Sequence, residues 1–192
     1  RGYYKIAKAL GGQIWAFRED SNICLNPFTS VKEIDEEMDM LVALLAKMAA
    51  ADDGLSDVQR AGLQEAIKAV WSSMGNSMTV TNVSTWLDLN EDQRLKDIGK
   101  MLYPFTMHGQ FGIWFEGENN LNFNSNFIVL ELEELTQKPL LQKVVLMILM
   151  SRIQHDMFQT MNSIKKISIF DESWALFDDP GVAVDMLRVT VY

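Results

Sequence analysis

The order of three segments constrains this chain most. An apolar run, FIVLEL (Phe127 to Leu132), is followed by a helical pattern opening at Pro139, and then by a second apolar run, KKISIF (Lys165 to Phe170). Leu141, Val144, Val145, Ile148, Leu149 and Ile153 recur at helical spacing between the two runs. Pro139 suits a first helical turn, where its missing N–H costs nothing. Two near-continuously apolar strands joined by a long helix are the pattern of a parallel βαβ unit covered on both faces. The fold class expected is therefore α/β.

Upstream, GGQIWAF and NICLNPF read as two short strands, the first opened by Gly11-Gly12 and the second closed by Pro27. GIWFEG (Gly112 to Gly117) reads as another. The Asn-rich tract ENNLNFNSN has the composition of a turn-forming loop. Between these strand regions the periodicity turns helical. Ser30 and Glu33 have capping-box spacing ahead of Ile34, Met38, Leu41, Leu45 and Met48. Ser56 and Gln59 repeat that spacing, with Leu63, Ala66, Ile67, Val70, Trp71 and Met74 on the inner side and Gly75 as terminator. A third helix is expected from Asn90 to Leu102, stopped by Pro104. The expected organisation is a core segment over 1–29, an all-helical insertion over 30–105, and a second core segment over 106–192.

Composition narrows the function. At 192 residues, 48% apolar and 22% charged, the chain can bury a substantial core. A net charge of −9 disfavours a nonspecific grip on nucleic-acid phosphates. The acids between Glu33 and Asp57 read as a solvated helix face. One cysteine, Cys24, excludes an internal disulfide and a cysteine-based zinc site, and as part of an apolar strand it reads as a buried, inert thiol. No run reaches the ~20 apolar residues of a membrane helix. The first residue is Arg1, and no basic-then-apolar leader precedes the first strand, so the expectation is a piece of a longer protein without a secretory signal.

The acids Asp171 and Glu172 follow directly on the Ile167–Phe170 run. In parallel sheets, ligands collect at the carboxyl ends of strands. An aspartate there can hold Mg²⁺ through one of its waters, and the next carboxylate can orient an attacking water and take its proton. The same pair also suits a surface turn or the first turn of a helix. A phosphate cradle would decide for chemistry, and no G-x-x-x-x-G-K-[ST] occurs in these residues. Gly99-Lys100 is a decoy, because Met101 follows it and Arg94 stands where the first glycine belongs. His108 and His155 match no metal-ligand spacing and read as structural. Gln110 and Glu131 stand near expected strand ends, and their reach to a nucleotide is left open.

Taken in order, RGYYKIAKALGGQIWAF, NICLNPF, GQFGIWFEGENNLNF, FIVLELEELTQKPLLQKVVL and IFDESWALF resemble the ATPases of type IV secretion and conjugation systems, in particular the TraC-like group. The resemblance spans nearly the whole chain. It implies a partial RecA-like P-loop NTPase core with an all-helical insertion. It also implies a phosphate-binding loop upstream of Arg1 and a Walker B strand at Ile167 to Glu172, so that the cofactor-binding Walker A loop lies outside the chain. By position, Asp171 would hold Mg²⁺ and Glu172 would activate the hydrolytic water, while Trp174 and Leu176 match flanking packing positions. ATP and Mg²⁺ would be cofactors of the parent protein, with none bound by these residues alone. The family further implies a homo-oligomer, commonly a hexamer, at the cytoplasmic side of the bacterial inner membrane, with inner-membrane components of the transfer apparatus as partners. Two other readings stay open: a coupling-type DNA translocase, and an assembly module that has lost its chemistry.

Overall fold

Gly11 and Gly12 turn the chain from helix into strand. In the computed structural model, which describes residues 2–18, 20–50, 54–158, 167 and 169, helix α1 (Gly2–Ala9) precedes them. Gly11, at φ +65°, donates to the Lys8 carbonyl, and Gly12 to that of Ala7 at 2.7 Å. This is a Schellman closure, which uses glycine where the backbone turns left-handed. Gly12 has a second duty, because a Cβ there would stand 2.6 Å from the Phe127 carbonyl oxygen. It lets β1 (Gln13–Ala16) lie against β2 (Ile128–Glu131) in a parallel pair, with Gln13 opposite Ile128 and Ala16 opposite Glu131. The strands expected in GGQIWAF and FIVLEL are therefore present, and parallel. Helix α1 has no counterpart in the sequence reading.

Two other expected strands are not strands. The NICLNPF segment is irregular, and its backbone groups bond to loops: Leu25 N–H donates to the Trp114 carbonyl at 2.6 Å, and Cys24 N–H to Asn120 Oδ1 at 2.9 Å. The GIWFEG segment instead begins with a 3₁₀ turn over Gly112–Trp114. Gly109 and Gly112 fold it back so tightly that a Cβ on either would collide with the Tyr103 or Thr106 carbonyl. The apolar side chains form a small core there, with the Phe105 ring 5.2 Å from Phe111 and 5.4 Å from Phe115, the latter edge-on. Their hydrophobicity serves a loop, not a sheet.

Four helices follow β1: α2 (Ile34–Ala49), α3 (Asp57–Met74), α4 (Val80–Asp88) and α5 (Gln93–Leu102). The Ser56/Gln59 capping box opens α3 as expected, and Gly75 at φ +54° ends it. The Ser30/Glu33 box does not form. Ser30 lies in a turn, Glu33 is the N-cap residue without a side-chain cap bond, and Glu37 accepts instead from Lys32 N–H at 2.9 Å. Three acids in the first turn of α2 suit the positive end of the helix dipole without it. Met38, Leu41, Leu45 and Met48 are buried as expected, as are Leu63, Ala66, Ile67 and Val70. Trp71 is half-buried at the margin of that stripe, and Met74, at the end of α3, is exposed. Helix α5 starts three residues later than Asn90, because Asp92 caps it. Helix α4 was not expected at all.

Helices α2 to α5 pack on one another, most extensively α4 on α5. Gly62 and Gly99 permit the closest approaches, Gly62 under Leu95 and Gly99 against Asp88 and the Ser84 carbonyl. Helix α1 and the two strands likewise pack among themselves, and none of these three packs extensively on α2 to α5.

Helix α6 (Pro139–Phe158) begins at the expected proline. The chain divides into two compact units, Arg1–Gln142 and Lys143–Tyr192, and α6 continues from the first into the second. Val144, Val145, Leu146, Ile148, Leu149 and Met150 are buried, which spreads burial around the whole helix. Of the expected strand Ile167–Phe170, Ile167 and Ile169 are described; neither is in regular secondary structure, and they are 84% and 75% exposed.

Candidate functional site

The carboxyl ends of β1 and β2 meet at Arg18 and Glu131. Phe17 N–H donates to the Glu131 carbonyl at 3.0 Å, which brings the two strand tips level. Side chains alternate along β1, so Ile14, Ala16 and Arg18 share one face. With Tyr4 and Lys8 of α1, Gly12 and Glu131 they line an open cleft of about 410 Å³. Arg18 is held by two carboxylates, Nε at 3.3 Å from Glu134 and Nη2 at 3.7 Å from Glu131. The strand tip is thus an ion-paired cation, with its charge already answered. Sequence reasoning singled out Glu131 but missed Arg18 and Glu134. The available signal was Arg18 standing two residues past the strand, in register with Ala16.

Of the expected positions among the described residues, Glu131 alone lines this cleft. Asp171 and Glu172, the candidate metal and catalytic carboxylates, lie outside the described residues, as do Trp174 and Leu176. Among the described residues no three His, Cys, Asp or Glu side chains converge to hold a metal ion. Gln110 is exposed in the turn before Phe111, in the loop that follows α5, and Glu131 is at the sheet tip. His108 is exposed rather than built into the core; its carbonyl accepts from the Tyr103 hydroxyl at 3.3 Å. The side chain of His155 lies outside the described part.

Cys24 is half-buried in the irregular segment after β1, not in a strand. Its thiol donates to the Glu116 carbonyl at 3.3 Å. Burial pushes its pKa up, the Glu116 carboxylate adds to that, and a backbone hydrogen bond at Asn26 opposes them. The expected strand and full burial of this thiol are therefore not what the structure has, and the raised pKa disfavours the nucleophilic thiolate. Among the described residues no helix is long and apolar enough to cross a membrane.

The parallel β1–β2 pair and the helical group place the chain beside known proteins. It superimposes on the structure of VirB4 of Thermoanaerobacter pseudethanolicus with a TM-score of 0.73 at 16% identity, covering 100% of this chain and 81% of that one. Protein TraC of Escherichia coli (strain K12) is 26% identical in an alignment of 189 residues that covers 92% of this chain and 21% of that protein. The chain thus spans about a fifth of that relative's length. Its fold is a partial RecA-like P-loop core bearing a group of helices. Residues 1–189 match the TraG P-loop domain, and the chain belongs to that family.

Proposed function

We propose that this chain is part of an ATP-hydrolysing motor that energises assembly of a type IV secretion channel or conjugative pilus. The family match over residues 1–189, which includes Asp171 and Glu172, carries the reading. Residues 30–105 are the helical insertion of that motor, and 1–29 with 106–192 belong to its core. ATP and Mg²⁺ are bound by the whole protein. The phosphate loop comes from chain outside these residues, which hold no G-x-x-x-x-G-K-[ST]. Bound Mg²⁺ supplies charge neutralisation for phosphoryl transfer. Asp171 holds it through a water, and Glu172 orients the attacking water and accepts its proton. The protein works as a homo-oligomer, a hexamer in the simplest reading, against inner-membrane components of the transfer apparatus. The charge of −9 favours this over a DNA translocase, whose pore needs clustered cations.

The test is Glu172→Gln in the full-length protein. ATP binding is expected to persist while turnover falls by roughly 10²–10⁴-fold, the usual worth of a positioned base. Asp171→Asn should weaken the Mg²⁺ dependence of nucleotide binding instead. Equal turnover in wild type and Glu172→Gln would remove Glu172 from the mechanism.

A further inference from the structure

The helical group and the sheet group of the first unit meet through irregular chain, and asparagine side chains occupy the crossing. The chain enters the helices through residues 22–31 and leaves them through 116–122. Asn26, 1% exposed, sits where these two passages come together. Its Nδ2 donates to the Gly117 carbonyl at 2.8 Å on the outgoing passage and to the Met78 carbonyl at 3.0 Å just before α4. Its Oδ1 accepts from Phe28 N–H at 3.1 Å. Asn120 ties the same passages a few residues away, accepting from Cys24 N–H at 2.9 Å and donating to the Asn22 carbonyl at 2.5 Å. From the end of α3, Asn76 reaches the Phe28 and Val31 carbonyls at 3.0 and 2.7 Å. The Phe17 and Trp114 rings stack beside this network at 6.1 Å.

A buried joint made this way fixes angles, because hydrogen bonds are directional where apolar packing is not. Only asparagine meets the requirement at position 26. It carries two donors and an acceptor on a short stem; aspartate lacks the donors and glutamine is one methylene longer. Each of these polar atoms is buried and would be costly to leave unpaired.

We infer that Asn26 is a clasp that closes the neck of the helical group and fixes its orientation to the β1–β2 sheet, so that the helices move with the sheet as one arm. The clasp deepens the reading of residues 30–105 as an insertion and needs none of the nucleotide chemistry. Its failure would leave the role of Glu172 untouched.

The experiment measures the distance between spin labels at Leu10→Cys and Leu89→Cys in the full-length protein. These sites are 65% and 81% exposed, one beside the sheet and one on the helical group. Cys24→Ser removes the one thiol of these residues and retains a donor toward the Glu116 carbonyl, and any cysteine elsewhere in the full-length protein is likewise replaced by serine. With Asn26 intact the distance distribution is expected to be narrow, and Asn26→Ala should broaden it about twofold, as a joint losing both donated bonds allows. Asn26→Asp should be broad near pH 7, where the carboxylate faces two carbonyls. It should narrow again on acidification to about pH 4, because a protonated carboxyl donates one bond and desolvation raises its pKa. Asn26→Ala should show no such recovery. A distribution as narrow in Asn26→Ala as in the parent overturns the clasp. So does an Asn26→Asp distribution that ignores pH. If Asn26→Ala fails to fold, Asn26→Asp decides; unfolding of that variant at both pH values also overturns the inference, since the bonds would then hold the fold and not the angle.

Discussion

The helical group and the sheet group use similar apolar residues to different ends. In the helices, Leu41, Leu44, Leu45, Leu63, Ile67, Val83, Leu87 and Ile98 lose all contact with solvent. In β1 and β2 every residue is only half-buried. Antiparallel and crossing helices can close a core among near neighbours, whereas parallel strands need cover on both faces. Among the described residues the first group therefore closes a core and the second does not.

The contrast can be broken by matched truncations. Ile67→Ala should cost about 2–5 kcal/mol in denaturant unfolding, as a fully buried site does. Ile14→Ala should cost about 1 kcal/mol, in proportion to its half-burial. Equal losses in this chain would show that the sheet is as closed as the helices. A rise of the Ile14→Ala cost in the full-length protein would identify cover supplied from elsewhere. Two serines sharpen the comparison within the helical group. Ser56→Ala should lose about 1 kcal/mol with its capping box, while Ser30→Ala should change stability by less than about 0.5 kcal/mol. The smallest effect concerns Asp92 at the start of α5. The side-chain hydrogen bonds from Arg94, then the Arg94 backbone N–H, hold its carboxyl at about 2 against an ordinary 3.8. A depressed carboxyl contributes above its ordinary value and loses that contribution as pH falls through its folded value. Asp92→Asn should therefore fall slightly below wild type at about pH 5 in thermal unfolding, with the gap narrowing as pH falls toward about 2.

Much of the fold was legible where several signals agreed. Pro139 with its helical stripe marked α6, and Ser56 with Gln59 and Gly75 bracketed α3. The errors came from short apolar runs, which periodicity alone does not assign. GIWF and ICLNPF have the composition of strands, but the glycines at 109 and 112 and the asparagines at 26 and 120 give their backbones other partners. Helix α4 escaped because Thr79 is closed by Asn82, not by Glu or Gln, and because Val80, Thr81, Val83 and Thr85 are β-branched. At the candidate site, Asp171 and Glu172 were expected as a strand-end pair and by resemblance, and both fall outside the described residues. Arg18, Glu134 and the asparagine clasp were illegible because their partners are distant in sequence.

The parallel register carries a consequence for biosynthesis. Gln13 pairs with Ile128, so the partner of β1 leaves the ribosome only after the whole helical group has been made. At ~5–20 residues per second, β1 waits roughly 5–25 s with its ladder groups unpaired. The helices can settle during that interval through contacts close in sequence, and the passage through Asn26 then meets a block that is already shaped. Order of emergence thus favours a nascent chain in which the arm forms before the sheet it is clasped to.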